Sequence, residues 1–251
     1  MNPARYVLVF AQASDEVAAG FVRRNARRAV RLVTPRDLSR AGWRYEVRGG
    51  VPSAQAVVEG RIVPQSRLAG VITRLGCVTA ADVPHIAASD RAYVAAEMQA
   101  FLAAWLHLVP CPILNRPTPM CLAGNAWSSH KWVQTAVRLG IPVSPIEQRV
   151  DWSARRGKHD PTVRRASTSD VTIVGPRAIG TASSRLVQRA RMLTRAAGLE
   201  FATVQFSTMY DDAIFLGVSL WPDLADEPIA EAILRYLWRQ SQQIPGIAAT
   251  A

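Results

Sequence analysis

From about residue 5 to residue 239, short β-branched apolar runs alternate with longer segments whose apolar residues return at helical spacing. That alternation confines the chain to the α/β or α+β classes. Residues 5–10 (RYVLVF) read as a first strand, 15–28 as a helix with Ser14 as N-cap and Asp15 and Glu16 in its first turn, and 29–34 as a second strand. Val57 and Val58 are expected to face Ile62 and Val63 across a Glu59-Gly60 hairpin turn, and residues 70–73 resume buried-strand character. Over residues 90–108, Tyr93, Val94, Met98, Phe101, Leu102, Trp105 and Leu108 recur at helical spacing, so the aromatic and Met positions read as core.

Pro110, Pro112, Pro117 and Pro119 punctuate a short strand around Ile113-Leu114-Asn115 and predict a boundary between domains 1–116 and 117–251. Residues 125–139 read as a helix stopped by Gly140 at the left-handed C′ position and by Pro142. Residues 146–169 carry Arg149, Arg155, Arg156, Lys158, Arg164 and Arg165 with little apolar content, which predicts an exposed basic loop. Strands over 170–174, 200–206 and 213–220, a helix over 184–197 and a closing helix over 225–239 complete the pattern. Ile229, Ile233, Leu237 and Trp238 share one face of that last helix.

Thirty basic residues against 19 acidic ones give a formal charge of +11, which favours an acidic partner: a nucleic acid, an acidic peptide or a phosphorylated ligand. Only Lys131 and Lys158 are lysines, so the excess is arginine, as a GC-rich coding bias also produces. No zinc finger, Walker A loop or RNA-binding aromatic signature accompanies the charge. Arg23, Arg24, Arg27 and Arg28 suit a helix C-terminus and a solvated face. Cys77, Cys111 and Cys121 form no CxxC pair, and with no secretory leader or membrane span in view the expectation is a soluble cytoplasmic protein with reduced thiols. His85, His107, His130 and His159 have no metal-ligand spacing, GxSxG is missing, and Gly49-Gly50 and Gly175-Pro176 lack the GxGxxG spacing, so no metal site, nucleophile elbow or dinucleotide fingerprint is expected.

Three segments resemble the ATP-grasp superfamily, in its branch of peptide-maturation and carboxylate-amine ligases. GVITRLG, the helix bearing Asp90, Tyr93 and Glu97, and CPILNRPTP resemble the end of the Rossmann-like pre-ATP-grasp domain. NAWSSHKWVQTAVRLGIPVSP resembles the entry helix, with Lys131 matching its lysine. DVTIVGPRAIG, AGLEFATVQF and DDAIFLGVSLWPDL resemble the final strands that bear the metal ligands.

The departures from that pattern shape the functional expectation. Where the family has Asp, Glu and Asn on those strands, this sequence has Gln205, Gly217 and Ser219. Mg²⁺ is a hard cation held through anionic oxygen, so neutral or missing side chains are poor replacements. Asp211, Asp212 and Asp223 are nearby acids that a shifted register would bring in. Only the 24 residues of 146–169 stand where the family places its nucleotide-covering subdomain, too few for a unit with its own core, which takes about 40.

The resemblance thus implies a Rossmann-like α/β domain followed by a shortened ATP-grasp-like α+β domain, with neither metal nor cofactor. It implies a non-catalytic accessory or scaffold subunit that forms a homodimer or a heteromer with a ligase or other biosynthetic enzyme and presents an acidic peptide or small molecule. The loop cations would contact the acidic partner, and Lys131, Arg177 and Arg185 would retain phosphate contacts. The alternative is a divergent ATP-dependent carboxylate-amine ligase using ATP and Mg²⁺, Lys131, Asp211 or Asp212, and Arg177 and Arg185. Arg189 beside Arg185 suits either a phosphate or a surface salt bridge. A nucleic-acid-binding module using residues 23–31 and 149–165 is a further alternative.

Overall fold

The structure, a computed structural model, describes residues 5–144 and 168–244. The basic loop expected at 146–169 therefore falls largely outside the described residues, together with Arg149, Arg155, Arg156, Lys158, Arg164 and Arg165. Its expected last residue, Ser169, is buried and begins a strand.

A parallel sheet forms from β1 (Tyr6–Phe10), β2 (Val30–Val33), β6 (Leu68–Thr73) and β7 (Ile113–Leu114), in the order β2-β1-β6-β7. α1 (Glu16–Arg24) links β1 to β2. Its N-cap is Asp15 rather than Ser14, and it ends at Asn25, with the next three residues in a tighter turn. The carboxylate wins the cap because Asp15 Oδ1 accepts from the Ala18 amide while Oδ2 accepts from Arg74 Nε, a long-range partner that Ser14 lacks. After β2 a short helix, α2 (Pro35–Leu38), leads to the antiparallel strands β3 (Arg44–Arg48), β4 (Val51–Val58) and β5 (Arg61–Pro64). The turn from β4 to β5 has φ of 51° at Glu59 and 76° at Gly60, the double left-handed backbone of a tight hairpin. It pairs Val57 with Ile62, while Val58 faces Arg61 and Val63 faces Ala56.

α3 (Arg91–Leu108) covers one side of the parallel sheet. Trp105 is fully buried there, beside Phe10 and Trp43, and its indole N–H donates to the Gln55 carbonyl at 3.0 Å.

The second sheet is antiparallel, in the order β11-β10-β8-β9, from β8 (Ser169–Val174), β9 (Arg177–Ile179), β10 (Phe201–Phe206) and β11 (Phe215–Ser219). α4 (Ser129–Arg138) and α5 (Ser184–Ala196) cover one face, where Trp132, Leu186, Ala190 and Leu193 pack on Val171, Ile173, Val204 and Phe206. α4 starts four residues later than the sequence suggests because Ser128 caps it, and Gly140 takes φ +69° just past its end as expected.

The closing helix α6 (Glu227–Gln242) packs Ile229, Ile233, Leu234 and Leu237 on Val7, Val9, Ala69 and Ile72 of the first sheet and on Val174 and Phe201 of the second. Both sheets therefore share one apolar core beneath the last helix. Among the described residues no helix is long and apolar enough to cross a membrane.

Candidate functional site

Strand pairing decides which polar residues meet. Gln205 lies opposite Gly217 on β11 and Asp170 on β8, and Thr203 lies opposite Ser219 and Thr172. Residues two apart on a strand share a face. One face of the sheet thus gathers Asp170, Thr172, Thr203, Gln205, Gly217 and Ser219, while the alternate residues enter the core under α4 and α5. The same polar face turns apolar toward Val174 and Phe201, where α6 lies over it.

A cleft of about 290 Å³ opens on the polar part, walled by Trp221, Asp223, Asp226 and the Ile179-Gly180 turn. Gly180 has φ +133°, and a Cβ there would stand 2.2 Å from the Asp170 carbonyl, so only glycine lets this wall close on β8.

Most polar groups of the cleft already have partners. The Thr172 and Thr203 hydroxyls bond each other at 2.9 Å. Ser219 Oγ accepts from the Trp221 amide at 3.2 Å and donates to the Trp221 carbonyl, which folds it into its own turn. Asp223 accepts from the Ala225 amide, and Asp226 caps α6 by accepting from the Ile229 amide at 3.0 Å. Gly217 has open space, because a Cβ there would meet only Gln205 Oε1, at 3.9 Å.

The structure thus brings Gln205, Gly217 and Ser219 to one face of the sheet, where Gln205 and Ser219 line the cleft. As a set they supply one neutral amide, one hydroxyl engaged elsewhere and no carboxylate, which does not fit a divalent cation bridging phosphates. Among the described residues no group of three His, Cys, Asp or Glu side chains is placed to hold a metal ion. Asp211 and Asp212 are exposed in the connection before β11 and do not line the cleft, whereas Asp223 does.

The expected phosphate cations stand apart from the cleft wall. Lys131 Nζ sits 4.2 Å from the centroid of the Trp127 ring, a cation–π contact at the start of α4. Arg177 is exposed on β9, and Arg185 is exposed in the first turn of α5. Arg189 Nη1 donates to the Asp211 carbonyl at 2.8 Å, a local tie rather than an open anion site. In the basic set of 23–31, Arg24 donates to the Leu224 carbonyl, Arg28 pairs with Glu231 at 2.6 Å and Arg31 pairs with Glu59 at 3.1 Å. These contacts occupy three cations that a nucleic-acid surface would need free.

A second crevice meets this one at Trp221. It lies at the C-terminal ends of β1 and β6, where the strand order reverses, and is lined by Gln12, Ser14, Asp15, Arg74 and Gly76. Arg74 Nε donates to Asp15 Oδ2 at 2.7 Å, and its Nη1 donates to the Pro222 carbonyl. Burial pushes the Asp15 carboxyl up, but bonds from Arg74 and the Ala18 amide and the guanidinium's charge outweigh it and hold the group below its ordinary range.

Sequence reasoning missed Asp170, Thr172, Thr203 and Asp226. Polar residues at period two, Asp170 with Thr172 and Thr203 with Gln205, in otherwise apolar strands were the available signal.

No family model matches the sequence, and no curated protein does. Solved structures do match. The crystal structure of the macrocyclase MdnB from Microcystis aeruginosa MRC superposes with a TM-score of 0.62 at 15% identity, over 93% of this chain and 99% of that one. The macrocyclase MdnC from the same organism, bound with precursor peptide MdnA, gives 0.62 at 13% identity over the same shares. A RiPP-associated ATP-grasp ligase of Chryseobacterium gregarium, in complex with ADP and a leader and core peptide, gives 0.59 at 8% identity over 96% of each chain. The chain has the fold of the ATP-grasp superfamily.

Proposed function

We propose that this chain is a non-catalytic ATP-grasp-like subunit of a peptide-maturation system, one that pairs with an active ligase or with a second copy of itself and helps present an acidic peptide or small-molecule substrate in the cytoplasm. The observation that carries the reading is the pairing of Gln205 with Gly217 beside a Ser219 folded onto its own turn. At the positions that the resemblance assigns to metal ligands, the sheet offers no anionic oxygen. A chain that keeps the fold without that chemistry is best explained by an interface, and the excess of 30 basic over 19 acidic residues suits an acidic partner. The peptide complexes of MdnC and of the Chryseobacterium ligase support a peptide context for this fold. The boundary near residue 116 and the basic stretch of 146–169 belong to the same proposal, the latter as the partner-facing segment.

A second reading is a divergent ATP-dependent carboxylate-amine ligase, and one observation favours it: Asp170, Asp223 and Asp226 line the same cleft. Calorimetric titration of ATP with and without Mg²⁺ separates the two. The accessory reading expects no heat of binding from the isolated chain and a bound polypeptide on native co-purification. Magnesium-dependent binding at micromolar strength, about −8 kcal/mol, overturns it in favour of the ligase.

A further inference from the structure

Cys77 and Cys121 lie 44 residues apart in sequence, and a backbone hydrogen bond between their chain neighbours brings the two segments together. The Leu122 amide donates to the Gly76 carbonyl at 2.8 Å, which sets the residue after Gly76 against the residue before Leu122. Standard backbone dimensions then keep the Cα atoms of Cys77 and Cys121 within about 8 Å, and a disulfide needs roughly 4.4–6.8 Å. The Cys121 side is rigid: Thr118 N donates to the Cys121 carbonyl at 2.9 Å, and Cys121 N donates back to the Thr118 carbonyl at 3.2 Å. The Cys77 side is the exit of β6, and its side chain is exposed, whereas Cys121 is only 7% exposed. Burial pushes the Cys121 thiol up, and charge on Cys77 adds to it. Cys111, the third cysteine, is fully buried and held up to about 12 by burial, which keeps it protonated and out of reach.

We propose that Cys77 and Cys121 are an oxidation site, with Cys77 as the thiol that meets a peroxide and Cys121 as the resolving thiol. The Cys77 thiolate attacks one peroxide oxygen, the O–O bond breaks, and the departing hydroxide takes a proton to leave as water. The Cys121 sulfur, on losing its proton, attacks the resulting sulfenic sulfur; the S–S bond forms, the S–O bond breaks and a second water leaves. Two thiols lose two electrons and one peroxide becomes two waters. The bond fastens the end of β6 to the connector that carries Asn115, closing a loop through residues 78–120.

The test treats the full chain with hydrogen peroxide and measures free thiols and intact mass, followed by peptide mapping without reductant. Titratable thiols in the unfolded protein are expected to fall from three to one, with a mass lower by two hydrogens, a mapped Cys77–Cys121 peptide and full reversal by dithiothreitol. The exposed-site variant Cys77→Ser is expected to keep both of its remaining thiols under the same treatment. Dimedone trapping of a persistent sulfenic acid at Cys77 with Cys121 still free overturns the proposal. So does a chain-to-chain Cys77 disulfide, or loss of Cys121 thiol in Cys77→Ser at the wild-type rate.

Discussion

Asn115 grips Phe201 as a strand partner would: its carboxamide oxygen accepts from the Phe201 amide at 2.7 Å, and its Nδ2 donates to the Phe201 carbonyl at 2.9 Å. The same oxygen accepts from the Glu200 amide, and Nδ2 also donates to the Ala123 carbonyl. One side chain, 2% exposed, thereby joins the end of the parallel sheet to β10. Asn115→Ala leaves the buried Phe201 amide unpaired, worth about 1–3 kcal/mol, and frees the partly buried Glu200 amide, so a loss of about 3 kcal/mol in unfolding free energy is expected from urea melts. A loss below about 1 kcal/mol would mean that water replaces the carboxamide.

Gly217 has room for a side chain, so the cleft chemistry can be changed without disturbing the fold. The combined variant Gln205→Asp, Gly217→Glu and Ser219→Asn is expected to give a measurable, Mg²⁺-dependent heat of ATP binding in calorimetry, where the wild type gives none. No gain would place the missing determinant elsewhere than in these three side chains.

Gly70 and Leu237 define how closely α6 lies on β6, since a Cβ at Gly70 would stand 2.9 Å from Leu237 Cδ2. Gly70→Ala is expected to cost about 1–3 kcal/mol by overpacking, and Leu237→Ala about 2–5 kcal/mol by leaving a cavity. The double variant should lose less than the sum, because the new methyl occupies vacated space. A thermodynamic cycle from denaturant melts reads that coupling.

Asp15 gives a pH dependence whose sign follows from its lowered folded-state value. A carboxyl held below its unfolded value contributes stability that is fully present above the unfolded value of about 3.9 and is lost as pH falls through the folded value. The Tm advantage of wild type over Asp15→Asn is therefore expected to hold from pH 5 to 7 and to shrink steadily below about pH 4. An advantage that grows on acidification would contradict the assignment of Arg74 as the dominant stabilising partner.

The order of strands and helices was legible because each apolar run had its own local period. The edge strands were harder. β9 is three residues long with Arg177 exposed, and β3 (RYEVR) has only its central Glu46 half-buried, so neither shows a core face. Ser14 was a sound local choice of cap and lost to Asp15 because the deciding partner, Arg74, lies 59 residues away. On the cleft face of the sheet, Gln205, Gly217 and Ser219 were found through the resemblance, and the pairing of strands does bring them together. Lys131 was named for the same reason, yet the ring of Trp127 takes its charge, a contact that sequence spacing does not specify.

The seat of α6 on β1 and β6 has a temporal meaning. Val7 and Val9 leave the ribosome more than 200 residues before Ile233 and Leu237, the side chains that cover them. At about 5–20 residues per second, that interval lasts on the order of ten seconds or more. Throughout it, that face of the first sheet keeps Ala18 and Phe21 of α1 but lacks the cover of α6, so nascent copies would be expected to recruit a chaperone until the closing helix arrives.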